Sequence, residues 1–491
     1  MVPKPVHILV ALFGLIAIGA PVRADSQPAD QQTEIQALRQ EVQVLEQRLD
    51  ALEKSRAIAP NPNAPGAVVE AGPVVNNSIP APGGAASPTP PPAEGGAHVN
   101  AGDGGFHLVS GDGSTSLHLG GLVQLDSREF FGDGGGVLNN TFILRRARLI
   151  TDGTFDNIYS FQFVPDFAGS AVTIYDANLG ISLNDWLQLR VGKFKSPVGL
   201  EQLQQDAYTF FVERSLATNL VPNRDLGFQL GGSIDKGTLI YQVGAFNGVP
   251  DAANSSNQDF DNDKEAEGRL FVQPFAASGN PVLSGFGLGA AGTFGREKGT
   301  SGVTSGYKTD GQQTFFKYNA STYADGDVWR FTPQSYWYAG PFGFLGEYVV
   351  SAVNVLAAAP TKPVVSTTQI VNHAWNAEVG WTLTGENTTF AGVVPNHPFN
   401  PKTGEFGALQ LVGRVEGLGI DPDAFPLMAA ATTNAKDVFG WSVGLNWYLS
   451  RLVRIDTDFN VDRFTDPVAT SSTQILRQDE KSLLSRVQIF F

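Results

Sequence analysis

Residues Leu117–Ser127 read LHLGGLVQLDS. Leu117, Leu119, Val123 and Leu125 share one face, and His118, Gln124 and Asp126 share the other. Strict alternation over about ten residues marks a β-strand with two unlike faces. The pattern recurs along the chain. Tyr159, Phe161, Phe163 and Phe167 oppose Ser160, Gln162 and Asp166; Tyr175, Ala177, Leu179 and Ile181 oppose Asp176, Asn178 and Ser182. Near the other end Phe439, Trp441, Val443, Leu445 and Trp447 oppose Ser442, Gly444 and Asn446, and Val453, Ile455, Thr457 and Phe459 oppose Arg454, Asp456, Asp458 and Asn460.

A soluble sandwich also alternates, so three further features decide. The strands run near ten residues, against a usual five or six. Aromatics recur on the apolar face near strand ends, as in the girdles of a membrane barrel. Connections come in two lengths, some of a few residues and others much longer, as between Val249 and Glu267; short turns at one end and long loops at the other are the outer-membrane pattern. The segment LLSRVQIFF places Leu483, Val487, Ile489 and Phe491 on one face, a closing strand that finishes on an aromatic. Phe106 to Phe491 predicts an all-β transmembrane antiparallel barrel of about 16 strands, with 18 as the runner-up, wide enough for a water-filled lumen.

Composition agrees. A chain of 491 residues suits two or three ordinary domains, unless one closed sheet takes up most of it. Charged residues make up 16%, low for a fully wetted surface of this size. The net charge of -15 argues against nucleic acid as a partner. Absence of cysteine excludes disulfides and cysteine-based zinc sites.

The first part of the chain is built differently. Lys4 and His7 precede an apolar run from Ile8 to Ala20, and Val22-Arg23-Ala24 has the small-x-small form of a cleavage site. Residues 1–24 are predicted to be a secretory signal peptide; the run is too short for a membrane-spanning helix. Ile35, Leu38, Val42, Leu45, Leu49 and Leu52 follow 3,4-spacing, so residues 25–56 are predicted to carry a short coiled-coil helix that self-associates. Residues 57–105 are rich in Pro, Gly and Ala and form a linker without a core.

One strand poses a puzzle. TFILRRARLITDG, Thr141 to Gly153, sets three arginines in four positions inside an apolar stretch. Alternation sends Arg146 and Arg148 to the lumen, in phase with Leu144 and Ile150. Arg190, Arg269, Arg454 and Arg486 are predicted to point inward by the same rule. Arg145 falls on the lipid face by this count: it sits at a subunit contact, near a membrane edge, or beside a bulge that turns it inward. The lumen arginines either bridge to Asp126, Asp166, Asp176, Asp456 and Asp458 and stiffen the wall, or guide ions, and one arginine can do both.

RRARLITDGTFDNIYSFQFVPDFAG resembles the first strand pair of the phosphate-selective porin O/P family. LRVGKFKSPVGLE (Leu189–Glu201), FVERS (Phe211–Ser215), NRDLGFQL (Asn223–Leu230), GAFNGVPD and NPKTGEFGALQLVGR (Asn400–Arg414) follow in the family's order. The resemblance implies a 16-stranded trimeric outer-membrane porin whose third external loop folds into the lumen. Here that loop would leave after Lys195, at Ser196-Pro197, and return near Asp225. It would bring Glu201, Asp206, Glu213, Arg214 and Arg224 to face Arg145, Arg146, Arg148 and Arg190. Phosphate-specific members carry a dense basic ladder with lysine in or near this loop. This sequence departs from them, with no lysine between Lys195 and Lys236. A mixed waist of arginines against acids and amides is expected, and phosphate selectivity does not follow.

Other motifs carry less. DFDNDKEAE (Asp259–Glu267) is a solvated external loop, or a site that holds Ca²⁺ or bridges cations to lipopolysaccharide. GLGAAG (Gly287–Gly292) fits a dinucleotide fingerprint in letters only, since no helix follows. No HExxH or G-x-S-x-G occurs, and neither an enzyme nor a cofactor is expected. The sequence predicts an outer-membrane channel for passive diffusion of small hydrophilic solutes and ions, anions including phosphate among them. Outer-membrane lipid, lipopolysaccharide and two further copies of the chain are its expected partners. Its N-terminal segment is expected in the periplasm. The alternatives are an envelope tether whose barrel only anchors the coiled coil, and a soluble secreted β-solenoid or adhesin.

Overall fold

A computed structural model describes residues 96–102, 104–132, 138–235, 237–299, 302–359, 362–467 and 478–491. The predicted signal peptide, the coiled coil and most of the linker lie outside the described residues.

A hairpin of β1 (His98–Gly102) and β2 (Gly105–Val109) leads into β3 (Ser116–Phe130). Then come β4 (Thr141–Phe155), β5 (Tyr159–Asp166), β6 (Thr173–Asn184), β7 (Leu187–Lys195), β8 (Arg224–Ile234), β9 (Leu239–Phe246), β10 (Glu265–Val272) and β11 (Phe286–Gly299). A two-residue and a three-residue strand, β12 (Tyr307–Lys308) and β13 (Thr314–Phe316), precede β14 (Thr322–Ala339), β15 (Phe342–Ala359) and β16 (Lys362–Thr382). Another short pair, β17 (Thr388–Thr389) and β18 (Gly392–Val393), precedes β19 (Ala408–Gly419), β20 (Asp437–Tyr448), β21 (Val453–Thr465) and β22 (Glu480–Phe490). Each long strand pairs antiparallel with the next. β22 then pairs with β3, from Ser482 opposite Phe130 to Phe490 opposite Leu122, and closes the sheet. Two of the 18 strands in this sheet belong to the hairpin; the other sixteen form the barrel. Closure removes every long edge that would otherwise expose unpaired backbone to lipid.

The alternation takes the two faces predicted for it. Gln124 and Asp126 are buried inside, while Leu117, Leu119, Val123 and Leu125 are exposed outside. Residues 156–158, 185–186, 340–341 and 449–452 make tight turns at one end. Asp156 and Asn157 adopt positive φ there, which short polar side chains tolerate best among residues other than glycine. Two connections at this end, 273–285 and 383–407, are longer than the pattern predicted. Trp186, Trp337, Trp381 and Trp447 lie near the same rim. The indole N–H of Trp337 reaches the Val282 carbonyl at 2.7 Å, and that of Trp447 reaches the Phe406 carbonyl at 2.7 Å. An apolar ring with one satisfied polar atom suits a membrane interface.

The lumen is partly filled. Residues 196–223, between β7 and β8, fold inward and carry a helical turn (Leu200–Leu203) and a 3₁₀ turn (Leu216–Leu220). Leu200, Phe210 and Phe211 pack against Ile240, Phe271, Tyr336, Leu345 and Val412 of the wall. Leu216, Leu220 and Val221 join Tyr307, Phe315 and Phe316 of the β11–β14 connection, together with Met428. Strict alternation predicts a polar inner wall, yet Val349, Val353 and Ala374 point inward and are buried. They belong to a second core, formed because inward loops bring apolar surface that must be removed from water. The connection 383–407 adds to the cluster around Leu200 and Phe210 from the short-turn end, where Phe390 packs against Tyr336 (5.6 Å between ring centres) and its carbonyl accepts from Gln204 Nε2 at 2.8 Å.

Candidate functional site: a basic cavity beside the inward loop

Two bulges build the site. Along β3 and β4, Gln124 pairs with Arg146, but the next residue, Leu125, pairs with Leu144. Arg145 is the extra residue, so Arg145 and Arg146 both point inward. Of the three placements open to Arg145, the bulge is the one found. Leu144, expected in the lumen, instead lies outside and exposed, because the bulge reverses the phase upstream of it. The same device recurs along β5 and β6, where Val164 pairs with Asp176 and Pro165 with Ile174. Tyr175 is left between them and turns inward. Alternation had placed it on the lipid face.

These side chains line a cavity of about 220 Å³ between β4, β6 and the inward loop. Arg145, Arg146 and Arg148 come from β4, Arg214 from the loop, Arg224 from the start of β8, and Lys308 from β12. Asp206, Glu213 and Asp251 are the carboxylates among the lining. Tyr175 lies between two guanidinium groups, with Arg148 at 4.1 Å and Arg224 at 4.6 Å from its ring centre. A ring face carries negative charge density, so this stack holds two cations side by side.

Ion pairs arrange the cluster around two loop carboxylates. Glu213 accepts from Arg145 through Nε (2.6 Å) and Nη2 (3.0 Å), and from Arg128 at 2.8 Å. Asp206 is met by Arg146 at 3.2 Å and also by Arg148 and Arg214. Arg148 reaches Asp166 at 2.8 Å, Arg224 reaches Asp176 at 3.2 Å, and Arg486 grips Asp126 through two bonds of 2.7 and 2.8 Å. Burial pushes the Glu213 carboxyl up, but Arg145, Arg486 and Arg146 outweigh it and hold the group below the usual carboxylate range. Burial likewise opposes ionisation of Asp206, and Arg146, Arg214, Arg148 and Lys195 hold it well below that range. Both are ionised at neutral pH.

The acids of the opposite wall do other work. Glu347 accepts from the backbone N–H of Leu200 (2.7 Å) and Glu201 (3.1 Å), where the helical turn begins. Asp458 accepts from Val212 N–H at 2.5 Å, and Glu416 from Leu216 N–H at 2.5 Å. Loop carbonyls are satisfied as well: Arg414 donates to Glu213 O (3.0 Å), Asn446 to Phe210 O (2.8 Å) and Gln488 to Ala207 O (2.9 Å). A loop buried in a lumen needs partners for its backbone polar groups, and wall side chains supply them. Acidic residues of β15, β19 and β21 are thereby engaged with the loop, and the arginines of β4 face the open space.

Seven of the nine residues singled out from sequence line the cavity: Arg145, Arg146, Arg148, Asp206, Glu213, Arg214 and Arg224. Two do not. Glu201 is fully buried and accepts from Ser215 N–H at 3.0 Å and from the Ser215 hydroxyl at 2.5 Å, a clasp inside the loop. Arg190 lies over the Phe194 ring at 5.2 Å, away from the cavity lining. Sequence reasoning missed Tyr175 and Lys308. Lys193 and Lys195 point inward but are buried and donate to the carbonyls of Ser255 (2.6 Å) and Gln204 (2.8 Å). The acidic run at Asp259–Glu267 divides: Glu265 and Glu267 are buried in β10, and Asp259 pairs with Lys264 at 2.6 Å. Among the described residues no group of three or more acids and histidines is arranged to hold a metal ion.

A closed sixteen-strand barrel with an apolar exterior, a charged lumen and a loop folded into it is an outer-membrane channel of the porin type. More narrowly, the chain belongs to the family of phosphate-selective porins O and P, whose profile matches residues 117–477. An uncharacterized protein of Caulobacter vibrioides is 26% identical over 285 residues, 54% of this chain and 56% of that one. The chain thus spans little more than half of that relative. Among solved structures, the outer-membrane channel DcaP of Acinetobacter baumannii aligns with a TM-score of 0.50 at 12% identity, covering 77% of this chain and 98% of that one. OmpT of Vibrio cholerae, solved in a trimer form, aligns with a TM-score of 0.46 at 12% identity, over 77% and 100%. The DcaP alignment is a likeness of fold.

Proposed function

We propose that the protein passes small hydrophilic solutes through the outer membrane by passive diffusion, with a preference for small anions, and catalyses no reaction. The observation that carries this reading is the lining of the cavity, where six cationic side chains face three carboxylates. A lumen with low-dielectric walls focuses such an excess, and a ring of arginine draws anions. Phosphate is one anion such a lining would accept. A dedicated phosphate path has less support, because Lys308 is the lining's single lysine and comes from outside the inward loop. The residues proposed to guide ions are Arg145, Arg146, Arg148, Arg214 and Arg224, with Asp206 and Glu213 tempering them; Glu201 and Arg190 take positioning roles.

The rest of the reading follows from the sequence. Residues 1–24 direct export, residues 25–56 form a periplasmic coiled coil, and residues 57–105 tether it to the barrel. Three barrels carrying one coil each would match in symmetry, which favours a homotrimer. Lipid and lipopolysaccharide contact the exterior. Planar-bilayer recording tests the channel itself: discrete conductance steps are expected, and purified protein that inserts without them sinks the reading. In a KCl gradient the reversal potential should report chloride preference, and a potassium preference removes the anion reading.

A further inference from the structure

We propose that Asp206 is a built-in counter-anion: its carboxylate occupies a three-arginine seat that a passing small oxyanion must displace, so this residue sets how tightly the channel holds what it passes. The proposal rests on the anion reading above and names the feature that tunes it.

The seat is formed by Arg146, Arg148 and Arg214, all within ion-pair reach of the Asp206 carboxylate. Each of these arginines also has an anchor that does not depend on that carboxylate. Arg146 donates to Gln124 Oε1 at 2.6 Å, Arg148 to Asp166 at 2.8 Å, and Arg214 to the carbonyls of Glu201 (3.1 Å) and Gln204 (2.7 Å). The backbone around Asp206 is held separately. Its own carbonyl accepts from Gln124 Nε2 at 3.0 Å, and the next carbonyl, of Ala207, accepts from Gln488. Removing the carboxylate therefore leaves both the loop and the three guanidinium groups in place, uncompensated in Asp206→Asn and with an oxyanion-sized gap between them in Asp206→Ser. Guanidinium forks accept a carboxylate or a phosphate in the same geometry.

A tethered carboxylate competes at a high local concentration, in the millimolar range or above for short tethers. A free oxyanion meeting this competitor binds weakly and leaves quickly. Conduction requires that balance, since a site too strong to release its ion becomes a trap. Asp152 supplies an internal comparison. It lies on the same strand as Arg146 and Arg148, bonds to His118 at 2.9 Å and stays outside the cavity lining. Its loss removes an equal charge from the wall without emptying the seat.

The test uses the purified full-length protein in planar bilayers, with inorganic phosphate titrated against the chloride current. Wild type is compared with Asp206→Asn, Asp206→Ser, Asp206→Glu and Asp152→Asn. In the two neutral Asp206 variants the half-blocking phosphate concentration should fall by about tenfold, equivalent to about 1.4 kcal/mol. Asp206→Glu keeps a carboxylate within reach and should stay close to wild type, as should Asp152→Asn. Acetate in place of phosphate should show the same order of variants if the seat takes oxyanions as a class. Unchanged block in Asp206→Asn and Asp206→Ser overturns the proposal, as does an equal effect from Asp152→Asn. A wild-type channel that conducts but prefers potassium defeats the anion reading first, and the two failures are told apart by the wild-type reversal potential alone.

Discussion

Arg145, Arg146 and Arg148 show how one extra residue changes what a strand offers. Without the bulge, Arg145 would face lipid, where a charged side chain costs about 2–4 kcal/mol at mid-depth of a barrel wall. With it, the guanidinium reaches Glu213 through two bonds. The arginines differ in what their removal should do. Replacing Arg146 and Arg148 with Ala withdraws two cations from the cavity, and the chloride preference should drop by about tenfold if each contact carries roughly 0.7 kcal/mol; the KCl-gradient reversal potential reads this directly. Replacing Arg145 alone should move that potential less, since Glu213 keeps Arg128 at 2.8 Å. The pH dependence follows from the loop acids. Asp206 and Glu213 titrate below their open-chain values when folded. Their contribution to stability is therefore complete above the unfolded carboxylate range, near pH 4, and is lost only as pH falls through the lower folded values. These two acids should accordingly keep their charge from pH 7 down to about 5, and a change of reversal potential within that window would come from other groups.

At the scale of elements, the inward loop is fixed by strands far from it in sequence. Asp458 holds Val212 N–H, and Glu416 holds Leu216 N–H. Asp458→Leu should leave a buried N–H without its acceptor, at a cost of about 1–3 kcal/mol. Open-channel current noise should rise, and the barrel should still migrate as a folded species on unheated gels, because the sheet is untouched. The strands themselves were legible in the sequence, since a period of two is a property of neighbours in the chain. The inward course of residues 196–223 was legible only by family resemblance. Its pins were not legible at all, since Glu347, Glu416 and Asp458 look like any other lumen acid until the fold brings them to the loop. The bulges left a single trace, two adjacent arginines at Arg145 and Arg146 that no strict alternation can place on one face. Tyr175 left none: an aromatic at that position fits the lipid face equally well, and it was misplaced there. The apolar half of the lumen was hidden for a related reason, because Val349, Val353 and Ala374 are inward residues that read as ordinary strand formers.

For the whole molecule, the division of charge matters more than its sum. A net charge of -15 coexists with a cavity dominated by arginine, because acids on one side of the lumen are bonded to loop backbone and arginines on the other side face water. Preference that arises from such a local excess is screened by salt. The Debye length shrinks from about 10 Å at 0.1 M to about 3 Å at 1 M. The chloride-to-potassium permeability ratio should move toward unity between those two concentrations, as measured from reversal potentials at a fixed gradient ratio. A ratio that holds at 1 M would point instead to short-range contacts, with Asp206 and its three arginines the first place to look.

The β4 bulge also bears on which changes of length the wall can absorb. A membrane strand ordinarily tolerates substitutions far better than lost codons, since dropping one residue turns every side chain on one flank inside out. Arg145 is surplus to the pairing: Leu144 and Arg146 already sit opposite consecutive residues of β3. Excising Arg145 should therefore splice the ladder into a continuous one and leave both flanks facing as before, whereas excising Leu149 should reverse one of them. Heat-modifiable gel migration of the two deletion variants should show a closed barrel for the first and none for the second. A lineage of this protein could then drop or regain that arginine in a single step, trading the grip on Glu213 without rebuilding the wall.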